Sequence, residues 1–223
     1  MIIIGGGSAG ATLAAQLSQD PNRSILLLEA GSDYPDPHQL PCDIKDGHNT
    51  ISASEGPYFW KYPTKINAHQ KDLTELLQAK VIGGGSSING TVFMRGLPED
   101  FDSWANEGNC EWSYSKVLPY FRKLETDLDF GGDFHGKDGP ISIRRFEQSE
   151  WEPTQKAFYK SCRNAGFSDN PDMNLPVNAG VGPRPMNNTN GLRISTTIAY
   201  LNPNRHRLNL TIKGNAVVQR IIF

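Results

Sequence analysis

Three glycines near the N-terminus have the spacing of a phosphate-binding loop. Gly5, Gly7 and Gly10 follow the pattern GxGxxG, and Glu29 comes nineteen residues after Gly10. Glycines in this pattern permit a tight turn, let the backbone approach a pyrophosphate, and allow close packing of a helix on a strand. A carboxylate about 20 residues further on accepts hydrogen bonds from ribose hydroxyls and repels a 2′-phosphate. The pattern predicts binding of a dinucleotide other than NADP and leaves NAD and FAD both open.

A second glycine run, GGGSSING, occupies residues 83–90. A flexible surface loop is one interpretation of such a composition. Apolar residues stand on both sides, at 81–82 and at 92–94, and they favour a buried segment instead. Because buried backbone amides need hydrogen-bond acceptors, we expect this run to lie along a polar ligand.

Residues able to act as a base, a nucleophile or a metal ligand are sparse. The five histidines include no pair at metal-ligand spacing, and none belongs to a nucleophile motif. His135, in Phe-His-Gly, is the most site-like of them, and a hydrogen-bonded loop histidine is the preferred interpretation. The sequence therefore predicts neither a catalytic residue nor a metal site.

The elements that position the first glycine run, residues 5–10, follow from the local pattern. Residues 1–4 form an apolar, β-branched stretch typical of a buried parallel strand. Residues 11–17 have helical composition, Pro21 ends that helix, and residues 25–28 predict a second buried strand that ends at Glu29. This order of strand, loop, helix and strand predicts an α/β fold with a Rossmann-like nucleotide-binding unit.

Residues 79–102, AKVIGGGSSINGTVFMRGLPEDFD, resemble the first signature of the glucose–methanol–choline (GMC) flavoprotein oxidoreductases. Further similar segments are LLLEAG at 26–31, FHGKDGPISI at 134–143 and GLRISTTIAYL at 191–201. The resemblance extends over nearly the whole chain. It implies that the two glycine runs serve two halves of one extended FAD molecule.

The resemblance also implies which residues contact the cofactor. Ser8 and Ala9 are expected at the pyrophosphate, Glu29 at the adenosine ribose, and the backbone of Val217 at the adenine. The residues expected beside the ribityl chain and the flavin ring are Gly85, Asn89, Gly90 and Val92. The complete set of predicted cofactor-binding residues is Gly5, Gly7, Ser8, Ala9, Gly10, Glu29, Ala30, Lys80, Gly84, Gly85, Asn89, Gly90, Val92 and Val217.

Ile88 departs from part of the family pattern. Some members have at this position a histidine that is covalently linked to the flavin. An isoleucine cannot form that bond, so the sequence predicts FAD that is held without a covalent bond.

The activity that the resemblance implies is oxidation of an alcohol CH–OH group by hydride transfer to flavin N5. The partners are then a small-molecule alcohol and an electron acceptor such as oxygen or a quinone. The family's catalytic histidine and its His or Asn partner lie beyond Phe223, so we expect a truncated, N-terminal part that is inactive without its C-terminal remainder. A catalytically silent flavin-binding or interaction module is the alternative, and the match at 79–102 disfavours an NAD-dependent enzyme.

Three segments are predicted from these patterns. Residues 1–138 are expected to be the first segment of the FAD-binding domain, and 139–187 the beginning of an α+β substrate-binding domain. At 188–223 the chain is expected to return to the FAD-binding domain and to form an incomplete part of it. A strand is predicted at 141–143, and a helix within 153–167 that ends at Gly166. Residues 32–78 predict an irregular excursion that covers the cofactor, with an ordinary surface loop as the alternative.

Composition excludes several classes of partner. Lys and Arg total 22 against 24 Asp and Glu, a net charge of −2 that does not favour nucleic acid. Apolar runs of four or five residues are too short to span a membrane. Three scattered cysteines, with neither a CxxC pair nor a secretory leader, predict a cytoplasmic protein.

Overall fold

The computed structural model describes residues 1–47, 56–177 and 179–222. The chain divides into two compact units, the first formed by Met1–Gly90 with Gly191–Phe223 and the second by Thr91–Asn190. The boundaries predicted at 138 and 187 refer to functional domains and stay a prediction.

The helices and strands are β1 Ile2–Ile4, α1 Ser8–Leu17, β2 Ile25–Leu28, α2 Cys42–Lys45, β3 Phe59–Thr64, β4 Thr74–Ala79, α3 Pro98–Asn106, α4 Tyr114–Leu124, β5 Glu125–Asp127, β6 Ile141–Ile143, α5 Pro153–Asn164, β7 Asn188–Thr189, β8 Leu192–Arg193 and β9 Leu210–Lys213.

A three-stranded parallel sheet in the order β1–β2–β9 is the basis of the first unit. Ile3 is aligned with Leu27, and Leu27 with Ile212. Ile3 and Leu27 belong to one buried cluster with Ala11 and Ala14 of α1. The small alanine side chains let the helix axis approach the sheet closely, and the branched side chains fill the space between them. The predicted parallel strand–helix–strand unit is confirmed. The prediction that the first strand is buried is correct only for Ile3, since Ile2 and Ile4 are exposed.

The predicted irregular excursion at 32–78 is partly wrong. Residues 48–55 of it lie outside the described part, but β3 and β4 form a regular antiparallel hairpin, with Phe59 paired to Ala79 and Thr64 to Thr74. Aromatic residues of β3 favour a strand. Most residues of both strands are exposed or only partly buried, so the sequence shows no hydrophobic alternation that would reveal them.

Regular elements of the second unit fall close to the predicted positions. The strand predicted at 141–143 is β6, and it pairs in parallel with β5. The helix predicted at 153–167 ends earlier, at Asn164. Gly166 follows with φ +92°, a left-handed conformation that glycine adopts readily and that commonly ends a helix.

Six charged or titratable side chains are buried together within the second unit. Arg145 joins two of the acids: its Nη1 donates to both carboxylate oxygens of Asp127 at 2.9 Å, and its Nη2 donates to Asp172 at 2.7 Å. Burial raises the pKa of the Asp127 carboxyl, but the backbone N–H of Phe130 and the Arg145 guanidinium outweigh it and hold that pKa below its usual value. The members of this buried charge cluster are Arg95, Glu125, Asp127, His135, Arg145 and Asp172.

His135 occupies the middle of the buried charge cluster. Its Nε2 lies 2.8 Å from Asp172 Oδ2, and its Nδ1 lies 3.0 Å from Asp127 Oδ2. The interpretation of a hydrogen-bonded loop histidine is confirmed. Glu125, Asp127 and His135 also bring one ligand-type atom each within 4.8 Å of one another, a juxtaposition that the sequence did not indicate. Two buried arginines contribute the positive charge that the carboxylates need here.

None of the helices in the described ranges combines the length and the apolar character that crossing a bilayer requires.

We predict that Arg145→Met destabilises the protein strongly. The substitution leaves Asp127 and Asp172 buried without their shared cation, and breaking such a buried pair costs about 3–5 kcal/mol. The matched control is Arg144→Met, since the neighbouring arginine pairs with the partly exposed Glu150 and its loss costs about 1 kcal/mol or less. Urea denaturation of both variants measures the free energies of unfolding, and equal losses would contradict the prediction.

Candidate functional site

The first glycine run makes the turn between β1 and α1. Gly5 has φ +94°, and its N–H donates to the carbonyl of Leu28 at 2.8 Å. A Cβ on Gly10 would lie only 2.0 Å from the carbonyl oxygen of Gly5. The turn therefore requires glycine at position 5, and the close contact between helix and strand requires it at position 10.

Helix α1 begins directly beside this turn, with Gly7 as its N-terminal cap and no acidic residue in its first turn. The N–H groups of the first turn of a helix have no acceptor within the helix, and they carry the positive end of its dipole. Ser8, Ala9 and Gly10 provide backbone groups at this end. Their arrangement suits a phosphate or another anion.

Glu29 holds the first glycine run in place. This buried residue follows β2, and its Oε2 accepts from the N–H of Gly6 at 2.7 Å. Its Oε1 accepts from the N–H of Gly31 at 2.8 Å. Each carboxylate oxygen can accept a further hydrogen bond, so these contacts are compatible with the predicted ribose contact.

The second glycine run lies directly against the first. The N–H of Gly83 donates to the carbonyl of Gly6 at 2.7 Å. A Cβ on Gly84 would lie 2.6 Å from Cα of Gly7, and Gly83 and Gly84 have φ values of +85° and +53°. Residues 84–87 then form one short 3-10 turn. The sequence predicts that the two runs are halves of one site, and the structure brings their backbones into contact.

An open cavity of about 410 Å³ lies in the first unit beside this contact, a volume within the range of small-molecule sites. Both glycine runs, both strand ends and the 216–218 segment contribute to its wall. Predicted cofactor-binding residues that line it are Gly5, Gly7, Glu29, Ala30, Gly84, Gly85 and Val217.

The other predicted residues are not part of that wall. Lys80 places its Nζ 4.4 Å from the centre of the Trp60 ring, and Val92 belongs to the second unit. Asn89 accepts from Arg193 Nε through its backbone carbonyl. Their roles, like those of Ser8, Ala9, Gly10 and Gly90, stay predictions.

Some residues of the wall were missed by sequence reasoning. Ile4 and Leu28 end the parallel strands β1 and β2, where ligands of open α/β sheets bind, so the sequence held a usable signal for both. No comparable signal pointed to Trp60 and Gln78 of the hairpin, because their place depends on how β3 and β4 fold back. Ala79 begins the segment 79–102 that resembles the family signature, but it was not among the predicted cofactor-binding residues. The remaining members are Ala216 and Val218.

Known proteins resemble the whole chain. The family model for the GMC oxidoreductases matches residues 1–223. An uncharacterized GMC-type oxidoreductase of Rhodococcus erythropolis is 37% identical over 222 residues, and the oxygen-dependent choline dehydrogenase of Vibrio vulnificus is 38% identical over 224 residues. Both alignments cover 100% of this chain, with 44% and 39% of the respective relative. The chain thus spans less than half of the length of these curated relatives.

A solved structure is similar at the level of the fold as well. The crystal structure of pyridoxine 4-oxidase from Mesorbium loti superposes with a TM-score of 0.86 and 33% identity. That match covers 96% of this chain and 42% of the other chain.

We predict that Gly84→Ala and Gly85→Ala differ sharply in stability. At position 84 the new methyl group meets Cα of Gly7 at 2.6 Å and the backbone has φ +53°, so the free energy of unfolding falls by about 1–3 kcal/mol. At position 85 no heavy atom lies within 4 Å of the added Cβ, and the change is neutral or stabilising by about 0.4–1 kcal/mol. Urea denaturation of the two variants tests the contact, which a similar loss in both would refute.

Proposed function

The chain belongs to the GMC oxidoreductase family, and from this premise we propose that it binds FAD and forms the cofactor-binding part of an enzyme that oxidises an alcohol CH–OH group. The backbone contact between the two glycine runs is the observation that carries this proposal. It gives one cavity two adjoining stretches of backbone, as an extended dinucleotide requires. The oxygen-dependent choline dehydrogenases among its relatives support the class of reaction.

Several residues present fit the ADP half of FAD. The first turn of α1 offers N–H groups to the pyrophosphate, and Gly7 leaves room for the phosphates because only Gly84 Cα approaches its missing Cβ, at 3.8 Å. Glu29 lines the cavity at the end of β2, where the ribose is expected. Val217 lines the same cavity and is assigned to the adenine.

The flavin half is assigned to the second glycine run. Gly85 is exposed at the cavity wall, and a Cβ added to it would have no heavy atom within 4 Å, so a ring system can approach its backbone. Ile88 packs with Ile44, Tyr58 and Val81 in an apolar cluster. An aliphatic side chain there offers no nucleophile, which supports non-covalent binding.

When bound, FAD supplies the acceptor for the hydride of the alcohol carbon. This chain's residues would orient the cofactor, exclude water from one side of it and neutralise its phosphates with backbone dipoles. We assign the general base, the substrate pocket and the reaction with oxygen or a quinone to the remainder of a longer enzyme.

The segments 1–138 and 188–223 are proposed as its FAD-binding domain and 139–187 as the beginning of its substrate-binding domain. The three cysteines of the chain are free thiols, which supports a cytoplasmic location.

We predict that the purified chain, mixed with FAD, retains flavin and its visible absorbance through gel filtration. NAD has no visible absorbance, so a colourless protein that retains NAD would contradict the proposal that the chain binds FAD. Acid precipitation should release all the flavin into the supernatant, because Ile88 cannot bond to it. Flavin in the pellet would contradict non-covalent binding.

We further predict that Gly7→Ala weakens FAD binding about tenfold or more without loss of stability. Gly7 has φ −74°, which alanine accepts, and its Cβ would meet Gly84 Cα at an ordinary 3.8 Å. The methyl group would instead displace the pyrophosphate, and about 1.4 kcal/mol of lost binding energy is tenfold in affinity. Fluorescence titration with FAD and urea denaturation measure the two effects, and unchanged affinity would contradict the proposed position of the phosphates.

The proposed activity requires the remainder of the enzyme. The C-terminal part, expressed separately and added with an electron acceptor, should allow alcohols to reduce the bound flavin and bleach its absorbance. Failure of every alcohol tested would leave a catalytically silent flavin-binding module as the function of the chain.

A further inference from the structure

Arg193, on β8, has the largest side chain among the fully buried residues of the described chain, with a relative exposure of 1%. Its guanidinium contacts carbonyl groups of two separate segments of the first unit. Nε donates to the carbonyl of Asn89 at 3.0 Å, and Nη1 donates to the carbonyl of Ser87 at 2.9 Å. Nη1 also donates to the carbonyl of Ile44 in α2 and, at 3.4 Å, to that of Asp43.

Burying this cation is costly for the fold. Burial lowers the pKa of Arg193, and the nearby carboxylates of Asp46 and Asp43 only partly offset the effect. Apolar residues of similar volume would fill the same space without the cost of desolvating a charge. A planar guanidinium, however, offers five N–H donors in fixed directions, so it can hold several carbonyl groups at once.

Thr196, three residues after Arg193, also contacts the second glycine run. Its N–H donates to Ser86 Oγ at 3.0 Å, and the Oγ atoms of the two residues lie 2.9 Å apart. Ser86 Oγ in turn donates to the carbonyl of Gly83 at 2.6 Å. Residues 193–196 therefore fix the second glycine run at three of its residues, Ser86, Ser87 and Asn89.

The first glycine run is held by a different set of contacts. Glu29 accepts from Gly6, and the N–H of Gly5 donates to Leu28. The four carbonyls that Arg193 bonds within the described residues all lie outside this run. The two runs contact each other through Gly83 and Gly6, but the side chains that support them differ. A substitution at Arg193 therefore acts directly on the second run and reaches the first run only through that contact.

We propose that Arg193 is a positioning residue for the flavin half of the cofactor: by bonding the carbonyls of Ser87 and Asn89, it gives the second glycine run the shape that the flavin needs. This inference rests on the proposed FAD function and deepens it. It predicts that a substitution of Arg193 lowers the affinity for FAD, whose flavin half contacts the second run, and leaves the affinity for ADP nearly unchanged.

The test compares FAD with ADP as probes of the full 223-residue chain. Arg193→Lys should lower the affinity for FAD tenfold or more and shift the visible absorbance band of bound flavin, because a lysine ammonium cannot reproduce the planar fork. The affinity for ADP, which occupies only the first half of the site, should change less than about twofold. Both affinities follow from isothermal titration calorimetry or fluorescence.

The matched control is Arg207→Lys. Arg207 also donates to a backbone carbonyl of the first unit, that of Ala15 at 2.7 Å, and to Ser18 Oγ. Ala15 lies in the last turn of α1 and Ser18 directly follows this helix, so neither residue belongs to a glycine run. This variant should keep the wild-type ratio of FAD to ADP affinity. Thr196→Val, which removes the hydroxyl contact with Ser86, is a second test if Arg193→Lys fails to fold, and it should reduce FAD affinity without reducing ADP affinity.

The possible outcomes separate the two proposals. A wild-type chain that binds neither FAD nor ADP overturns the proposed function and this inference together. A wild-type chain that binds both, with FAD and ADP affinities falling by the same factor or not at all in Arg193→Lys and Thr196→Val, overturns this inference alone. A selective loss of FAD affinity supports it.

Discussion

The direct backbone contact between the two glycine runs is the constraint on which the cofactor site depends. Gly83 donates to Gly6, and Gly84 lies so close to Gly7 that any side chain at position 84 would collide with the neighbouring backbone. Two chain segments about eighty residues apart are thereby fixed at van der Waals distance. Parallel strands bring the first run and Glu29 to one edge of the sheet, and the second run completes the wall of the cavity there.

Polar groups maintain this contact on both sides. Glu29 uses its two carboxylate oxygens to hold the backbone around Gly6 and Gly31, whereas Arg193 uses its guanidinium to hold the second run. Glycine has no side chain that could pack against a core, so at the glycine positions hydrogen bonds from neighbouring residues must define the shape of the backbone. The apolar core of Ile3, Leu27 and α1 supplies stability, and the buried polar side chains determine the conformation of the site.

The second unit contains the buried charge cluster. Three buried carboxylates, two arginines and His135 lie together, and their arrangement depends on mutual charge compensation. Such clusters are sensitive to the loss of a single member, because a remaining charge cannot reach water. These residues lie between positions 95 and 172 of the sequence, so no local pattern predicts the cluster.

The sequence by itself determined the parallel strand–helix–strand unit, the two glycine runs and the family, because these features depend on local residue types and short spacings. The need for glycine at positions 5 and 10 was predicted correctly, because a tight turn and a close contact between helix and strand each exclude a side chain. Their contact with a cofactor stays a prediction. Only the tertiary structure decided that Trp60 and Gln78 line the cavity, that His135 belongs to a charge cluster, and that Arg193 supports the second run. The contacts that define these places include His135 with Asp172, 37 positions apart, and Arg193 with Asn89, 104 positions apart. Pairing over such distances is set by the packing of the whole chain rather than by the pattern of any one segment.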